Sequence, residues 1–276
     1  MPTGWSPWAD LGVHLDARLQ RRVGTGRARL LDASGRRIAT GDLAACEAPF
    51  RALQEARPDP AEHVVILLHG LFRSRGAMAP MARSLRAHGL SAMTVHYPST
   101  RRDVDGHAEQ IEAVLSRIRG PTRVSFVGHS LGGIVARRVL DRSGASWREH
   151  LTPHRLVTIG SPHHGAALAA KLYALPGFRA AAGPSLDELT PEGATPSAPP
   201  VPFGVIAGGR QGRGHNPFLD GDDDMTVRVE EAFLEGAEDA LVVGAVHTFI
   251  MMDRIVIEAV RRYLGSGSFG AQRSLA

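Results

Sequence analysis

Lysine and cysteine are nearly missing from this sequence: Lys171 and Cys46 are the single examples of each among 276 residues. One cysteine forms no internal disulfide, so nothing in the chain depends on an oxidising compartment. Aromatic residues amount to 5%, and none interrupts the arginine-rich stretch from Arg18 to Arg37. That stretch therefore lacks the stacking surfaces of a single-strand nucleic-acid binder. No run approaches the roughly 18 apolar residues of a membrane-spanning helix, and no charged segment followed by an apolar one opens the chain as an export signal would. Net charge is small, +4 at pH 7, and the preference for arginine over lysine reads as the imprint of a GC-rich bacterial genome. These absences predict a cytoplasmic, bacterial protein with no nucleic-acid partner.

What is present points to a globular α/β chain. Hydrophobic residues make up 43% and charged residues 22%, ordinary for a protein with a packed core, and the length suits one large sheet domain. Trp5, Trp8, Leu11, Leu15 and Leu19 stand three or four apart, predicting an amphipathic helix over residues 5–19 that ends at Arg18, Arg21 and Arg22. Docking on the core is the preferred role of that helix, ahead of contact with a membrane surface. Ala28 to Asp32 and Arg37 to Thr40 flank Ala33-Ser34-Gly35, a β-hairpin pattern expected to start the sheet. A helical pattern over 44–56 is broken by two prolines in 57–60.

From there apolar runs at 63–68, 91–96, 123–127, 155–159, 203–207 and 240–245 alternate with helical periods near 76–88, 104–118, 131–142 and 249–263. Such alternation predicts a mostly parallel central sheet with helices on both faces. Residues 165–202 lose the regularity and form a candidate small, loop-rich cap, whose apolar part, Leu168 to Phe178, either covers a pocket or is a plain surface helix. The expected organisation is an N-terminal helix, hairpin and connector (1–60), a main domain (61–265) and a tail (266–276).

The sharpest chemical signal is Gly128-His129-Ser130-Leu131-Gly132, which leaves an apolar run and opens a helix. A serine at such a strand-to-helix turn is exposed and strained, a nucleophile elbow. A serine hydroxyl needs a base within hydrogen-bond reach and a third group to orient that base, and on this scaffold they follow in the order Ser, Asp or Glu, His. His247, between the last strand and the last helix, is the candidate base. Asp220, Asp222, Asp223 and Asp224 compete for the third role, and Asp224 is chosen as the one nearest the re-entry into ordered structure. Leu131, next after the serine, and Leu71, in the turn after the first core strand, are the candidate oxyanion-hole amides. The acidic loop also suits calcium by ligand type, but most acidic loops are simply solvated, and adjacent His163 and His164 lack the spacing of a helical zinc-ligand pair, so no metal and no cofactor is assigned.

Leu67-Leu68-His69-Gly70-Leu71, Tyr97-Pro98-Ser99, Gly128-His129-Ser130-Leu131-Gly132-Gly133, Gly160-Ser161-Pro162-His163-His164-Gly165, Asp224-Met225-Thr226-Val227 and Val246-His247-Thr248 occur in this order. With them the chain, from about Val64 to Leu264, resembles the lipase and esterase branch of the α/β-hydrolase superfamily. The resemblance implies the α/β-hydrolase fold and cleavage of a small-molecule ester or lipid. It departs in two places: Met225 follows the acidic residue where glycine is usual, and Phe72 stands where a small residue is common. Phe72, His129, His163 and Met225 are the expected pocket residues. Short to medium acyl chains are favoured; the alternatives are a lipase acting on longer chains at a membrane surface and a non-catalytic binding protein on the same scaffold.

Overall fold

The computed structural model describes residues 6–210 and 212–270. Its centre is a six-stranded sheet in the order β10-β9-β8-β7-β5-β6, parallel at every pairing. The strands are β5 (His63–Leu68), β6 (Ser91–Val95), β7 (Arg123–His129), β8 (Thr152–Ile159), β9 (Phe203–Gly208) and β10 (Asp239–Val243). Their near-continuous apolar sequences follow from burial on both faces. Val64, Ile66 and Leu68 point into a core shared with helices α3 (Val104–Leu115) and α4 (Leu131–Asp141). Val65 and Leu67, one residue out of phase, point into a second core with α2 (Ala79–Ala87) and α8 (Arg254–Ser266). Helix starts follow local chemistry: the Asp103 carboxylate accepts from the Gly106 amide to open α3, and Asp253 does the same for Ile255 to open α8.

The N-terminal region departs from expectation. In place of a helix over 5–19 the chain forms strands β1 (Trp8–His14) and β2 (Ala17–Arg22); Trp5 lies outside the described residues. The leucine spacing that mimics a helical stripe is overridden by an extended strand covered on both faces, with every residue from Ala9 to His14 buried. Leu15 and Asp16, at φ 46° and 71°, close the hairpin. Among the described residues the expected helical stripe is therefore absent, and the Arg29 guanidinium lies over the Trp8 ring, 4.0 Å from its centre.

The second hairpin, β3 (Ala28–Leu31) and β4 (Arg37–Gly41), forms as expected but does not start the central sheet. Together β1 to β4 make a separate antiparallel sheet that packs on α1 (Leu43–Ala56) through Leu11, Leu19, Leu30, Cys46 and Phe50. A polar bolt fastens this sheet to β6. Buried Arg18 donates to Asp10 Oδ2 (2.7 Å), Thr94 O (2.8 Å) and Thr94 Oγ1 (3.1 Å), while the His96 N–H donates to the Asp10 carboxylate (2.8 Å) and the Asp10 N–H to the His96 carbonyl oxygen (3.0 Å).

Residues 165–202 contain two short helices, α5 (Ala167–Tyr173) and α6 (Phe178–Ala182), and a 3₁₀ turn over Pro184–Leu189. They lie over the carboxyl edge of the sheet. A further short helix, α7 (Val229–Ala232), precedes β10.

Candidate active site

Ser130 leaves β7 at φ 54°, ψ −124°, a conformation L-residues rarely hold, and begins α4. The tight turn requires the glycines around it. A Cβ on Gly128 would sit 2.3 Å from the Gly133 nitrogen, and one on Gly132 would sit 2.4 Å from the Leu68 carbonyl oxygen. No side chain larger than hydrogen fits either place, so the glycines let α4 press against the strands.

Loops after β9 and β10 bring the partners to the same edge. His247 Nε2 lies 3.0 Å from Ser130 Oγ, and His247 Nδ1 lies 2.7 Å from Asp224 Oδ2. Because a carboxylate only accepts, Nδ1–H donates to it and the bare Nε2 faces the hydroxyl. Asp224 is wholly buried, and its other oxygen accepts from the Thr226 and Val227 amides at 3.0 and 2.8 Å. Gly160 makes room for this pair: a Cβ there would approach Asp224 Oδ2 to 3.1 Å and His247 Nδ1 to 3.2 Å. The local sequence does not reveal that role, since the crowding groups come from far along the chain.

The neighbouring aspartates are turned elsewhere. Asp222 accepts from the amides of Arg210, Gly212 and Gly214, and Asp223 from those of Asn216 and Met225. The acidic cluster thus ties its own loop together.

Leu71 lines the same cavity as Ser130, and Leu131 follows Ser130 as the first residue of α4. Among the described residues neither backbone N–H has a hydrogen-bond partner, as expected of the first residue of a helix in the case of Leu131. Gly70, just before Leu71, passes so close that a Cβ would lie 3.0 Å from Ser130 Cβ.

A cavity of about 230 Å³ opens over Ser130 and His247, with apolar walls from Leu172, Phe178, Leu186, Leu189 and Val227. Leu168 and Phe178, from the stretch with two open roles, both line it. Of the four expected pocket residues, Phe72 and His129 line the cavity. His129 also donates from Nε2 to the His247 carbonyl oxygen at 3.0 Å, and burial, then the neighbouring His247, holds its pKa well below the ordinary value.

The other two are corrected. His163 is buried away from the cavity, accepting from Arg137 Nη1 at Nδ1 (2.8 Å) and donating from Nε2 to Thr158 Oγ1 (3.1 Å). Burial, reinforced by the Arg137 charge, keeps it neutral and suited to that contact. Met225 is 44% exposed and points outward at φ 87°, while its neighbours Thr226 and Val227 supply the wall. Thr226 and Thr248 are wall residues that the sequence reading passed over, although each adjoins a chosen residue.

The family described as "Putative serine esterase (DUF676)" matches residues 58–181, a span that includes Leu71, Ser130 and Leu131 and stops before Asp224 and His247. No curated protein matches the chain. Among solved structures it is similar to the mature form of Bacillus licheniformis lipase BlEst2, at 21% identity and TM-score 0.58, covering 77% of this chain and 94% of that one. It is similar to the propeptide form of the same lipase at 23% identity and TM-score 0.62, covering 80% of this chain but only 54% of that longer one. The metagenomic carboxyl esterase MGS0156 is similar at 16% identity and TM-score 0.55, covering 76% of this chain and 77% of that one. These likenesses show the α/β-hydrolase fold. With the family match, they support ester hydrolysis in general.

Proposed function

We propose that this α/β-hydrolase is a carboxylesterase that works through an acyl-enzyme on Ser130. The observation that carries the reading is the continuous hydrogen-bonded line from Asp224 through His247 to Ser130, at 2.7 and 3.0 Å. As Ser130 Oγ bonds to the ester carbonyl carbon, its proton passes to His247 Nε2, and the carbonyl oxygen becomes an anion facing the Leu71 and Leu131 amides. Each such donor is worth about 3–4 kcal/mol of transition-state stabilisation. The tetrahedral species collapses when His247 returns the proton to the leaving alcohol oxygen. Water, deprotonated by His247, then attacks the acyl carbonyl and releases the acid and the free serine. Asp224 holds the imidazole in its tautomer and offsets the charge it gains.

Short to medium acyl chains fit best. The cavity, at about 230 Å³, is smaller than the several hundred Å³ of ligand pockets that enclose large molecules, and its walls are apolar. Replacing Ser130 by alanine is expected to abolish turnover of p-nitrophenyl butyrate and labelling by a fluorophosphonate probe. Undiminished turnover in that variant would remove the reading, and wild-type protein that fails to label would favour a binding role on the same scaffold.

A further inference from the structure

Phe72 adopts φ 58°, a region that glycine enters freely and a bulky L-residue enters at a cost. It does so inside a turn closed by the Arg73 N–H donating to the Gly70 carbonyl at 3.2 Å, so Leu71 and Phe72 are the two central residues of one β-turn. The second central position with positive φ is one where glycine or asparagine is the usual choice. A phenylalanine kept there suggests a function for its ring.

That ring meets Phe178 of the cap edge to face, with centroids 6.2 Å apart and planes at 74°. Both residues line the cavity that holds Ser130 and His247. The Gly70 carbonyl that closes the turn also accepts from His69 Nδ1 at 2.9 Å, which fixes the turn from behind. The aromatic contact and the Leu71 amide therefore belong to one short, tightly held unit.

We propose that the Phe72–Phe178 contact gauges acyl length, and that an over-long chain is rejected because pushing the Phe72 ring aside carries the Leu71 amide away from the oxyanion. This rests on the carboxylesterase reading and deepens it. The left-handed well is narrow, so a displaced Phe72 passes its movement to the adjoining peptide groups. Long chains then still bind in the apolar cavity but lose a donor that acts only in the transition state. Such a loss lowers kcat and kcat/KM together and leaves KM nearly unchanged.

The test measures kcat and KM for p-nitrophenyl acetate, butyrate, octanoate and decanoate with wild type, Phe178→Ala and Phe72→Gly, with fluorophosphonate labelling of each variant to verify a folded site. Phe72→Gly retains a backbone suited to the turn, and Phe178→Ala leaves the oxyanion turn chemically intact. In wild type kcat is expected to fall tenfold or more from acetate to decanoate at similar KM. Both variants are expected to raise the decanoate-to-acetate kcat ratio by about tenfold, the scale at which apolar pockets discriminate chain length. An unchanged ratio in both labelled variants overturns the gauge while leaving the esterase reading standing, as does wild-type discrimination carried by KM alone. Absence of both turnover and labelling in wild type defeats the esterase reading, and the gauge with it.

Discussion

At the scale of single residues the site depends on which atoms are left with one direction to point. Asp224 has one oxygen engaged by two backbone amides and the other by His247, so its carboxylate has no freedom to rotate. Asparagine in its place would present an NH₂ to one of these donors and destabilise the tautomer in which Nε2 is bare. Asp224→Asn is expected to lower kcat by about 10³- to 10⁴-fold with an unchanged circular dichroism spectrum; a loss under tenfold would show that the carboxylate does not orient the base. The order serine, acid, histidine is readable along the chain. Which of four aspartates reaches the imidazole is not, because Asp222 and Asp223 are captured by amides of residues 210–216 only once that loop has folded.

Among the elements, the strand-to-helix turn at Ser130 is legible because its requirements are local: an apolar strand, small residues on either side and a helix directly after. The N-terminal hairpin is not legible in that way. Its leucines fit helical and alternating periods alike, and the choice falls to the strands because β1 finds α1, α3 and β6 to pack against. Asp10 and Arg18 are the decisive pair there, buried to 0% and 4% exposure. Removing one partner of a buried ion pair strands the other charge, so Arg18→Leu is expected to lower unfolding free energy by about 3 kcal/mol or more, measured by urea titration. A change under 1 kcal/mol would mean that Gln20 and the His96 amide satisfy Asp10 unaided.

For the whole molecule, burial of neutral histidines links stability to pH. Burial is the main cause that lowers His69 from its ordinary 6.5 to about 3 and His107 to about 4; His129 and His163 are held well below 6.5 for the same reason. Below pH 6.5 the unfolded chain binds protons that the folded chain refuses, so stability is full above that pH and declines as pH falls toward the folded values. Each such group contributes up to about 1.4 kcal/mol per pH unit in that window. Calorimetric Tm is expected to hold near pH 7 and fall steeply between pH 6 and pH 4; a flat Tm across that interval would contradict neutral burial of these rings.

By itself the sequence determined the succession of core strands and helices, the elbow around Ser130 and the strand ends from which its partners come. These depend on residue periodicity and glycine sterics, which act between neighbours. Only the tertiary structure decided that the N-terminal segment is a sheet, that His129 faces the cavity while His163 turns to Arg137, and that Phe72 reaches Phe178. Each of those outcomes depends on what a side chain is buried against, and the burying groups lie tens of residues away or more.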